Sequence, residues 1–249
     1  MHRTAHDGRR AFRLRRAAAL IPVAGMLAAL ASCTEPPDPL TAPCGVVIDG
    51  SGSGDAGKGG FDAEAKLKDT LVPFLTEQKC GSVEFAPITR SSEASSCRVD
   101  EVDLDPAGDE TTDHDSARRK ALGEAKQAAM AELECARTQG GSDVWGALDR
   151  IGEVLGGPDV KILVVSDFEQ ADKDFTIEPS ELSTEAARGE VIDAMVEARG
   201  MPGIKGMDVY PVGLGMIKDI RPEENDDFQA FWTEAIEGRA EARVQYDYK

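Results

Sequence analysis

Three oxygen-bearing side chains follow a short apolar run near the start of the sequence. Asp49, Ser51 and Ser53 are spaced two residues apart, and a glycine follows each of them. Carboxylates and hydroxyls are the hard oxygen ligands that Mg²⁺ takes in proteins. Glycine lets a backbone turn tightly around a bound ion. The spacing therefore predicts a cation site in the loop after the first strand.

The glycines of the same loop also allow a different chemistry. Gly52, Gly57 and Lys58 match the G-x-x-x-x-G-K pattern of a phosphate-binding loop. Gly59 stands where that pattern requires the Ser or Thr that holds Mg²⁺, and no apolar helix starts directly after the lysine. A nucleotide-binding enzyme with a P-loop is therefore the weaker of the two alternatives.

Short apolar runs alternate with longer amphipathic stretches along the rest of the chain. The apolar runs predict strands at 45–49, 82–88, 97–104, 160–167 and 207–215. The amphipathic stretches predict helices at 61–79, 116–138, 142–156, 190–200 and 223–243, with Ser116 as the N-cap of the second helix. This alternation predicts an α/β fold: an open, mostly parallel, doubly wound sheet with helices on both faces, as in Rossmann-like proteins.

Acidic residues end two of the predicted strands. Asp49 is the last residue of the strand at 45–49, and Asp167 is the last residue of the strand at 160–167. In open α/β sheets, ligands bind beyond the carboxyl ends of the strands, near the point where the strand order reverses. We therefore expect both carboxylates to point into one crevice.

The D-x-S-x-S motif of the first loop resembles the metal-ion-dependent adhesion site of von Willebrand factor A (VWA) domains. Two other segments match further parts of that family's site, in the same order along the chain. GGSDVWGAL, at 140–148, resembles the family's second loop, with Ser142 where the family usually has Thr. ILVVSDFEQ, at 162–170, resembles its third loop, with Asp167 at the acidic position. The resemblance covers residues 45–243 and implies a VWA-like fold.

The resemblance also implies how a divalent cation would be bound. The implied metal-binding residues are Asp49, Ser51, Ser53, Ser142 and Asp167. The three serines would coordinate the ion directly or nearly so, and the two aspartates would act mostly through waters. Mg²⁺ or Mn²⁺ is the expected cofactor, with Ca²⁺ as a further alternative. The ion would keep one open position for a carboxylate from a protein partner.

Three residues depart from the family's pattern or disturb it. Ser142 keeps the hydroxyl of the usual Thr but lacks its stiffening methyl group. Phe168 follows Asp167 where glycine is common, which predicts a differently shaped third loop. Lys58 lies close enough in sequence to compete electrostatically with a cation.

The N-terminal segment has the features of an export signal. Six arginines precede an apolar run that ends at Cys33 and is too short to span a bilayer comfortably. LASC, at 30–33, resembles the lipobox of bacterial lipoproteins, which implies cleavage before Cys33 and a diacylglyceryl group on its sulfur. An ordinary signal peptide is the alternative, and the general and twin-arginine export routes both stay open.

These features predict the organisation and location of the whole chain. Residues 1–32 form the signal peptide, 33–43 form a proline-rich tether that begins with the lipidated Cys33, and 44–249 form the VWA-like domain. We expect the protein at the cell membrane, lipid-anchored on the extracytoplasmic face.

Charge limits the partners that the protein can bind. The sequence carries 28 Lys and Arg against 46 Asp and Glu, a net charge of −18. Loss of residues 1–32 removes six basic residues and one acidic residue, which leaves a net charge near −23. Such a surface repels polyanions, so we expect no nucleic-acid partner, and contact with the membrane only through the lipid.

Four cysteines remain beyond the lipidation site. An even number outside the cytoplasm favours two disulfides, for which four cysteines allow three pairings. Cys44 and Cys80 precede the first two predicted strands, Cys97 follows the second strand, and Cys135 ends the long helix. These positions predict the bridges Cys44–Cys80 and Cys97–Cys135.

The sequence shows no constellation of catalytic residues. His114 is the single histidine beyond the signal segment, and no Ser/His/Asp set or paired cysteine nucleophile is recognisable. We therefore expect a binding module that engages a protein partner through a cation, and no enzyme. The alternative is a structural or assembly lipoprotein with the same fold and a non-functional metal site.

Overall fold

The computed structural model describes residues 38–55, 57, 60–108 and 113–248. The predicted signal peptide, the first five residues of the tether with the lipidation site Cys33, and Lys58 and Gly59 lie outside these residues. No helix in the described ranges is both long enough and apolar enough for a transmembrane span.

Six strands and five α-helices make up the described fold. The strands are β1 (Ala42–Asp49), β2 (Cys80–Ile88), β3 (Val102–Asp103), β4 (Lys161–Val165), β5 (Asp208–Val212) and β6 (Arg243–Val244). The helices are α1 (Ala63–Glu77), α2 (His114–Arg137), α3 (Val144–Leu155), α4 (Glu185–Arg199) and α5 (Pro222–Thr233), which continues as a π-helical turn over Glu234–Arg239.

The strands form one open sheet in the order β3-β2-β1-β4-β5-β6. All neighbouring strands are parallel except β2 and β3, which are antiparallel. The chain adds strands on one side of β1 and then, from β4 onwards, on the other side. The strand order therefore reverses between β1 and β4, which makes the carboxyl ends of these two strands the switch point of the sheet.

Helices cover both faces of the sheet, as the sequence predicts. Alternate residues of each strand point to opposite faces, so Val46 and Ile48 pack in one core while Val47 packs in the other. The first core is formed with α1 and α2, and the second with α3, α4 and α5. The fold is thus a mixed α/β, doubly wound sheet.

Some predicted boundaries are wrong. The stretch 97–104 contributes only two residues of strand, Val102–Asp103, at the antiparallel edge. Helix α2 begins two residues before Ser116, and Asp113 is its N-cap because the Asp113 carboxylate accepts a hydrogen bond from Ser116 N. The last helix is predicted to run to Arg243, but the helical stretch ends at Arg239, and Arg243 begins β6, which is too short for its periodicity to be recognised.

Both predicted disulfides are present. Cys44 is bridged to Cys80 and Cys97 to Cys135, with Cα–Cα distances of 5.7 Å in each. The first bridge joins the starts of two adjacent parallel strands, and the second ties the segment after β2 to the end of α2. Loops of 36 and 38 residues are closed in this way, which is worth about 4 kcal/mol for each bridge in a chain-entropy account.

One acidic side chain of α2 is buried in the core-facing side of the helix. Glu132 is fully buried, and neither carboxylate oxygen has a hydrogen-bond partner among the described residues. Burial raises the pKa of Glu132 to about 7, and the charge of Arg150 lowers it only in part. Arg150 itself donates to the carbonyls of Ser92, Ser95 and Cys97. Glu132 therefore destabilises the folded state wherever it is ionised.

Replacing Glu132 with leucine is expected to stabilise the protein above neutral pH. Because the folded-state pKa is raised, stability is lost as the pH rises from the ordinary pKa of Glu, about 4.3, to about 7. We expect Glu132→Leu to raise the free energy of unfolding by about 1–2 kcal/mol at about pH 8, and by less at about pH 5. Urea unfolding at both pH values measures this. The control is Glu124→Leu, an exposed position on the same helix. A destabilised Glu132→Leu variant at the higher pH would show that the carboxylate is satisfied in solution.

Candidate metal centre

The carboxylate that ends β1 is fixed by two hydrogen bonds at the switch point. Asp49 is fully buried. Its Oδ1 accepts from Ser51 N at 2.7 Å, and its Oδ2 accepts from Ser166 Oγ at 2.7 Å. Since Ile48 pairs with Val165, Asp49 lies level with Ser166, and Asp167 comes one residue later. Each Asp49 oxygen keeps a further lone pair, which suits a carboxylate that acts through metal-bound waters.

The two serine hydroxyls of the first loop lie side by side. Ser51 Oγ and Ser53 Oγ are 2.9 Å apart and hydrogen-bonded to each other. The loop is held by Phe61 N, which donates to Ser53 O at 2.9 Å. A Cβ at Gly60 would lie only 1.7 Å from Ser53 O, so glycine is required there for the loop to close. The packing of this loop brings two hydroxyl oxygens together, as a cation site requires.

Asp167 is expected to end the strand at 160–167, but β4 ends at Val165, so Asp167 lies in the loop that follows β4, beside the first loop. It is 1% exposed, and its Oδ1 accepts from Glu169 N at 3.0 Å. The hydroxyl of Ser53 is within hydrogen-bonding reach of Asp167, and it lowers the pKa of that carboxyl. Strands β1 and β4 are neighbours, so the structure brings Asp49, Ser51, Ser53 and Asp167 into one group.

Ser142 joins this group only through its backbone. Ser142 N donates to Ala171 O at 2.9 Å, and Ala171 N donates to Ser142 O at 2.8 Å, which fixes the second loop to the third. Its side chain is 3% exposed, and Ser142 Oγ has no hydrogen-bond partner among the described residues. None of the described hydrogen bonds joins Ser142 Oγ to the other four residues. A buried hydroxyl without a partner costs about 1–3 kcal/mol, which a ligand at that oxygen would offset.

Phe168 takes the backbone conformation that glycine favours. Its φ angle is 67°, in the left-handed region that costs a bulky residue about 1–2 kcal/mol. Its ring is fully buried, with its centroid 5.4 Å from that of Trp232 in an edge-to-face contact. The aromatic packing thus holds a strained turn directly after Asp167. Phe168 therefore has a positive φ angle of the kind that glycine favours, although its side chain is large.

A buried polar network fixes the second and third loops to each other. Asp143 Oδ1 caps α3 by accepting from Gly146 N at 3.0 Å, and it also accepts from Gln170 Nε2 at 3.3 Å. Gln170 Oε1 in turn accepts from Trp145 N at 3.1 Å. Arg199, from the end of α4, forms an ion pair with Asp172 and another with Asp143. Trp145 itself is a core residue, because its ring is 1% exposed and its Nε1 donates to Gly200 O.

The sequence interpretation missed several residues around the site. Ser166 and Glu169 flank Asp167, so their types and position could have identified them. A cavity of about 220 Å³ opens between the loops that follow β1, β4 and β5. The cavity is lined by Gly52, Ser53, Gly60, Asp167, Glu169, Met216, Ile217 and Lys218. The last three carry no motif, and only the strand order places them here.

Three acidic side chains of the site hold their protons unusually tightly. Burial, and then the nearby charge of Asp49, raises the pKa of Asp167 to about 7. Burial also raises the pKa of Asp49, against hydrogen bonds from Ser51 and Ser166 that lower it. The pKa of Glu169 is raised by burial first and by Asp49 second. The ionised carboxylates therefore repel one another, and a cation between them would relieve that repulsion.

The donor set fits a hard divalent cation that keeps some of its waters. Within the ranges that the structure describes, no group of three or more His, Cys, Asp or Glu side chains could hold a metal. A cation here would therefore depend on the hydroxyls of Ser51, Ser53 and Ser142. Three hydroxyl ligands, with carboxylates that accept hydrogen bonds from metal-bound waters, suit Mg²⁺ or Mn²⁺, which bind oxygen ligands and retain waters. The unpartnered Ser142 Oγ and the raised pKa values both favour this fit.

Sequence comparisons give no independent support for a family. No protein-family model matches the chain, and no curated protein matches it significantly. The resemblance to VWA domains accordingly depends on the three loops and remains a prediction, although the open α/β sheet agrees with the fold that it implies.

The raised pKa values predict that stability without a cation falls as the pH rises. The folded chain binds these protons more tightly than the unfolded chain does, so stability is lost between the ordinary pKa of Asp, about 4, and about 7. We expect the melting temperature in EDTA to fall across this interval, and Mg²⁺ to restore most of the loss at about pH 8. Asp167→Asn should flatten the profile and remove most of the Mg²⁺ effect.

This pH series needs a background without Glu132, which titrates in the same range. The measurement is therefore thermal unfolding of Glu132→Leu with and without Asp167→Asn. Identical Mg²⁺ responses in the two proteins would contradict a cation next to Asp167.

Proposed function

We propose that the protein is a lipid-anchored, extracytoplasmic binding module that engages a protein partner through a divalent cation. The cation would be Mg²⁺ or Mn²⁺, with Ca²⁺ as a further alternative, held by Asp49, Ser51, Ser53, Ser142 and Asp167. The lipid would be attached at Cys33, and the protein would act at the cell membrane without a nucleic-acid partner.

The observation that carries this proposal is the meeting of buried oxygen groups at the switch point. Asp49 ends β1, Ser51 and Ser53 lie in the loop that follows it, and Asp167 comes from the loop after β4, more than 100 residues later. Ser51 and Ser53 are hydrogen-bonded to each other at 2.9 Å, and both aspartates are almost fully buried. Buried carboxylates without a basic partner are rare outside functional sites. No described Lys or Arg forms an ion pair with Asp49 or Asp167.

Each residue would have a distinct part in binding. The serine hydroxyls would hold the cation directly, since a hydroxyl oxygen is an acceptor that adds no negative charge. Asp49 and Asp167 would orient its waters, because their oxygens keep lone pairs beyond the bonds described above. A bound cation supplies an electrophilic position for a carboxylate oxygen of the partner. Because the direct ligands would be neutral hydroxyls, the cation would keep most of its positive charge for the partner's carboxylate.

The structure offers little support for the phosphate-binding alternative. Helix α1 begins at Ala63, four residues after Gly59, whereas a P-loop leads directly into its helix. The N-terminus of α1 is already capped by the Asp62 side chain, which accepts from Ala65 N at 3.0 Å. A carboxylate at this position repels a phosphate. The neighbouring cavity, about 220 Å³, is also below the roughly 300–1,000 Å³ of small-molecule sites.

Calorimetry of Ser142→Ala tests the proposal with the least disturbance of the fold. This substitution removes a buried hydroxyl that has no hydrogen-bond partner among the described residues. In EDTA, stability should therefore stay the same or rise by up to about 1 kcal/mol. Affinity for Mg²⁺ and Mn²⁺ should nevertheless fall about tenfold, the loss expected for one ligand. Asp49→Asn should abolish the heat of binding.

The matched control is Asp69→Asn, which removes the same charge from the exposed side of α1 and should leave cation binding unchanged. Absence of any heat with the wild-type chain would favour the alternative, a structural or assembly lipoprotein with a non-functional site. Equal affinities of wild type and Ser142→Ala would remove Ser142 from the ligand set.

A further inference from the structure

The cavity beside the proposed cation site has one side that the cation ligands do not form. Met216, Ile217 and Lys218 form this side, and they belong to residues 213–220 after β5, here called the β5 loop. Gly215 N donates to Asp167 O at 3.1 Å, which attaches the β5 loop to the third loop of the site. Gly213 and Gly215 have φ angles of 98° and 76°, conformations that side chains with a Cβ rarely adopt. The β5 loop is therefore built to lie against the site.

The β5 loop presents an apolar surface next to the positive charge of Lys218. Met216 is 48% exposed and is one of four large apolar side chains that the described residues expose. It is the only one of the four that lines this cavity. Lys218 is also exposed, and within the described ranges no carboxylate forms an ion pair with it. Exposed methionines adapt to varied apolar partners, which suits a binding surface.

The size of the cavity limits what can enter it. Its volume of about 220 Å³ is below the roughly 300–1,000 Å³ of sites that enclose a whole small molecule. A hydrated cation takes part of that space. The space that remains accommodates the end of one side chain and a few waters. The rest of a ligand must lie outside the cavity, across the Met216 and Ile217 side chains at its rim.

The charges around the cavity select the kind of side chain. Asp167 and Glu169 on one side repel an anion, whereas Lys218 on the other side attracts one. The chain as a whole carries a net charge of −18, so an acidic partner is repelled from most of its surface. When a dication is bound, a carboxylate of the partner is therefore favoured on the side of the cavity that Lys218 forms. Met216 and Ile217 then lie beside that carboxylate, where an apolar side chain can cover them.

We infer that the partner presents an acidic side chain with an apolar side chain next to it, and that Lys218, Met216 and Ile217 determine this preference. This inference rests on the proposed function, because the carboxylate would share its charge between the cation and Lys218. The apolar neighbour would pack on Met216 and Ile217, which form the rim. The ligand is thus an acidic-apolar peptide segment of a protein.

Selection from a random heptapeptide library displayed on phage tests the inference and requires no candidate partner. The immobilised chain is exposed to the library in Mn²⁺, and bound phage are released with EDTA. The expected result is enrichment of peptides with one Asp or Glu next to Leu, Ile, Met or Phe. An enriched peptide is then synthesised, together with a version that has Asn or Gln for the acid, and their affinities are measured by calorimetry.

Two variants and two matched controls assign the preference to the β5 loop. Lys218→Gln should weaken the enriched peptide about threefold, as for a partly exposed ion pair, and Met216→Ser should weaken it about fivefold through lost apolar contact. Both should bind Mn²⁺ within about twofold of wild type. The controls are Lys205→Gln and Met201→Ser, which are exposed positions outside the cavity and should bind the peptide as wild type does.

Each outcome separates the inference from the proposed function. If Mn²⁺ binds but no acidic-apolar peptide is enriched, the inference is wrong and the cation site stands. The same holds if Lys218→Gln and Met216→Ser bind the peptide like their controls, or if the amide version binds as well as the acid. If Mn²⁺ itself does not bind, the proposed function fails and the inference fails with it.

Discussion

Two buried carboxylates at the ends of adjacent parallel strands set the central constraint on this structure. Asp49 and Asp167 lie where β1 and β4 end, almost without exposure to water. The charge of Asp49 raises the pKa of Asp167, so the two carboxylates repel each other when both are ionised. The fold tolerates them through hydrogen bonds from Ser51, Ser166 and the backbone of Glu169. These bonds offset only part of the cost of burial and of the repulsion by Asp49, which together raise the pKa of Asp167. A cation among the neighbouring hydroxyls would offset the remainder.

The second and third loops are fixed to each other by contacts that involve no ion. The second loop is attached to the third by the backbone pair of Ser142 and Ala171, and beneath them lies the buried network of Asp143, Gln170 and Arg199. The strained φ angle of Phe168 is retained because its ring packs against Trp232. Such ordering in advance of binding means that little conformational entropy is lost when a ligand binds. The arrangement is therefore suited to recognition by rigid loops on one edge of a sheet.

Much of this architecture could be predicted from the sequence, for reasons that particular residues make clear. The long buried run at 160–167 and the amphipathic helices have strong periodicity, so the α/β sheet and its helices were predicted correctly. Cysteine positions relative to those strands were enough to choose both disulfides. The grouping of Asp49 with Asp167 followed from the rule that parallel strands end at one edge. These inferences use local pattern and general topology, which a single sequence contains.

Other features depend on contacts that have no local signal. Glu132 looks like a solvated helix residue, and its burial arises from the packing of α2 against the rest of the fold. The orphaned hydroxyl of Ser142 depends on a backbone pair with Ala171, which is distant in sequence. Met216 and Lys218 belong to no motif, and they reach the site because β5 lies next to β4. The two-residue strands β3 and β6 are too short for periodicity to mark them.

The central claim is that the loops after β1 and β4 and the loop before α3 surround one point that binds a dication. Anomalous diffraction from crystals grown in Mn²⁺ locates such an ion directly. We expect one strong peak at roughly 2 Å from the hydroxyl oxygens of Ser51, Ser53 and Ser142, with Asp49 and Asp167 reached through waters. Crystals that contain Mn²⁺ at saturating concentration but show no peak there, or show it only elsewhere on the acidic surface, would contradict the account.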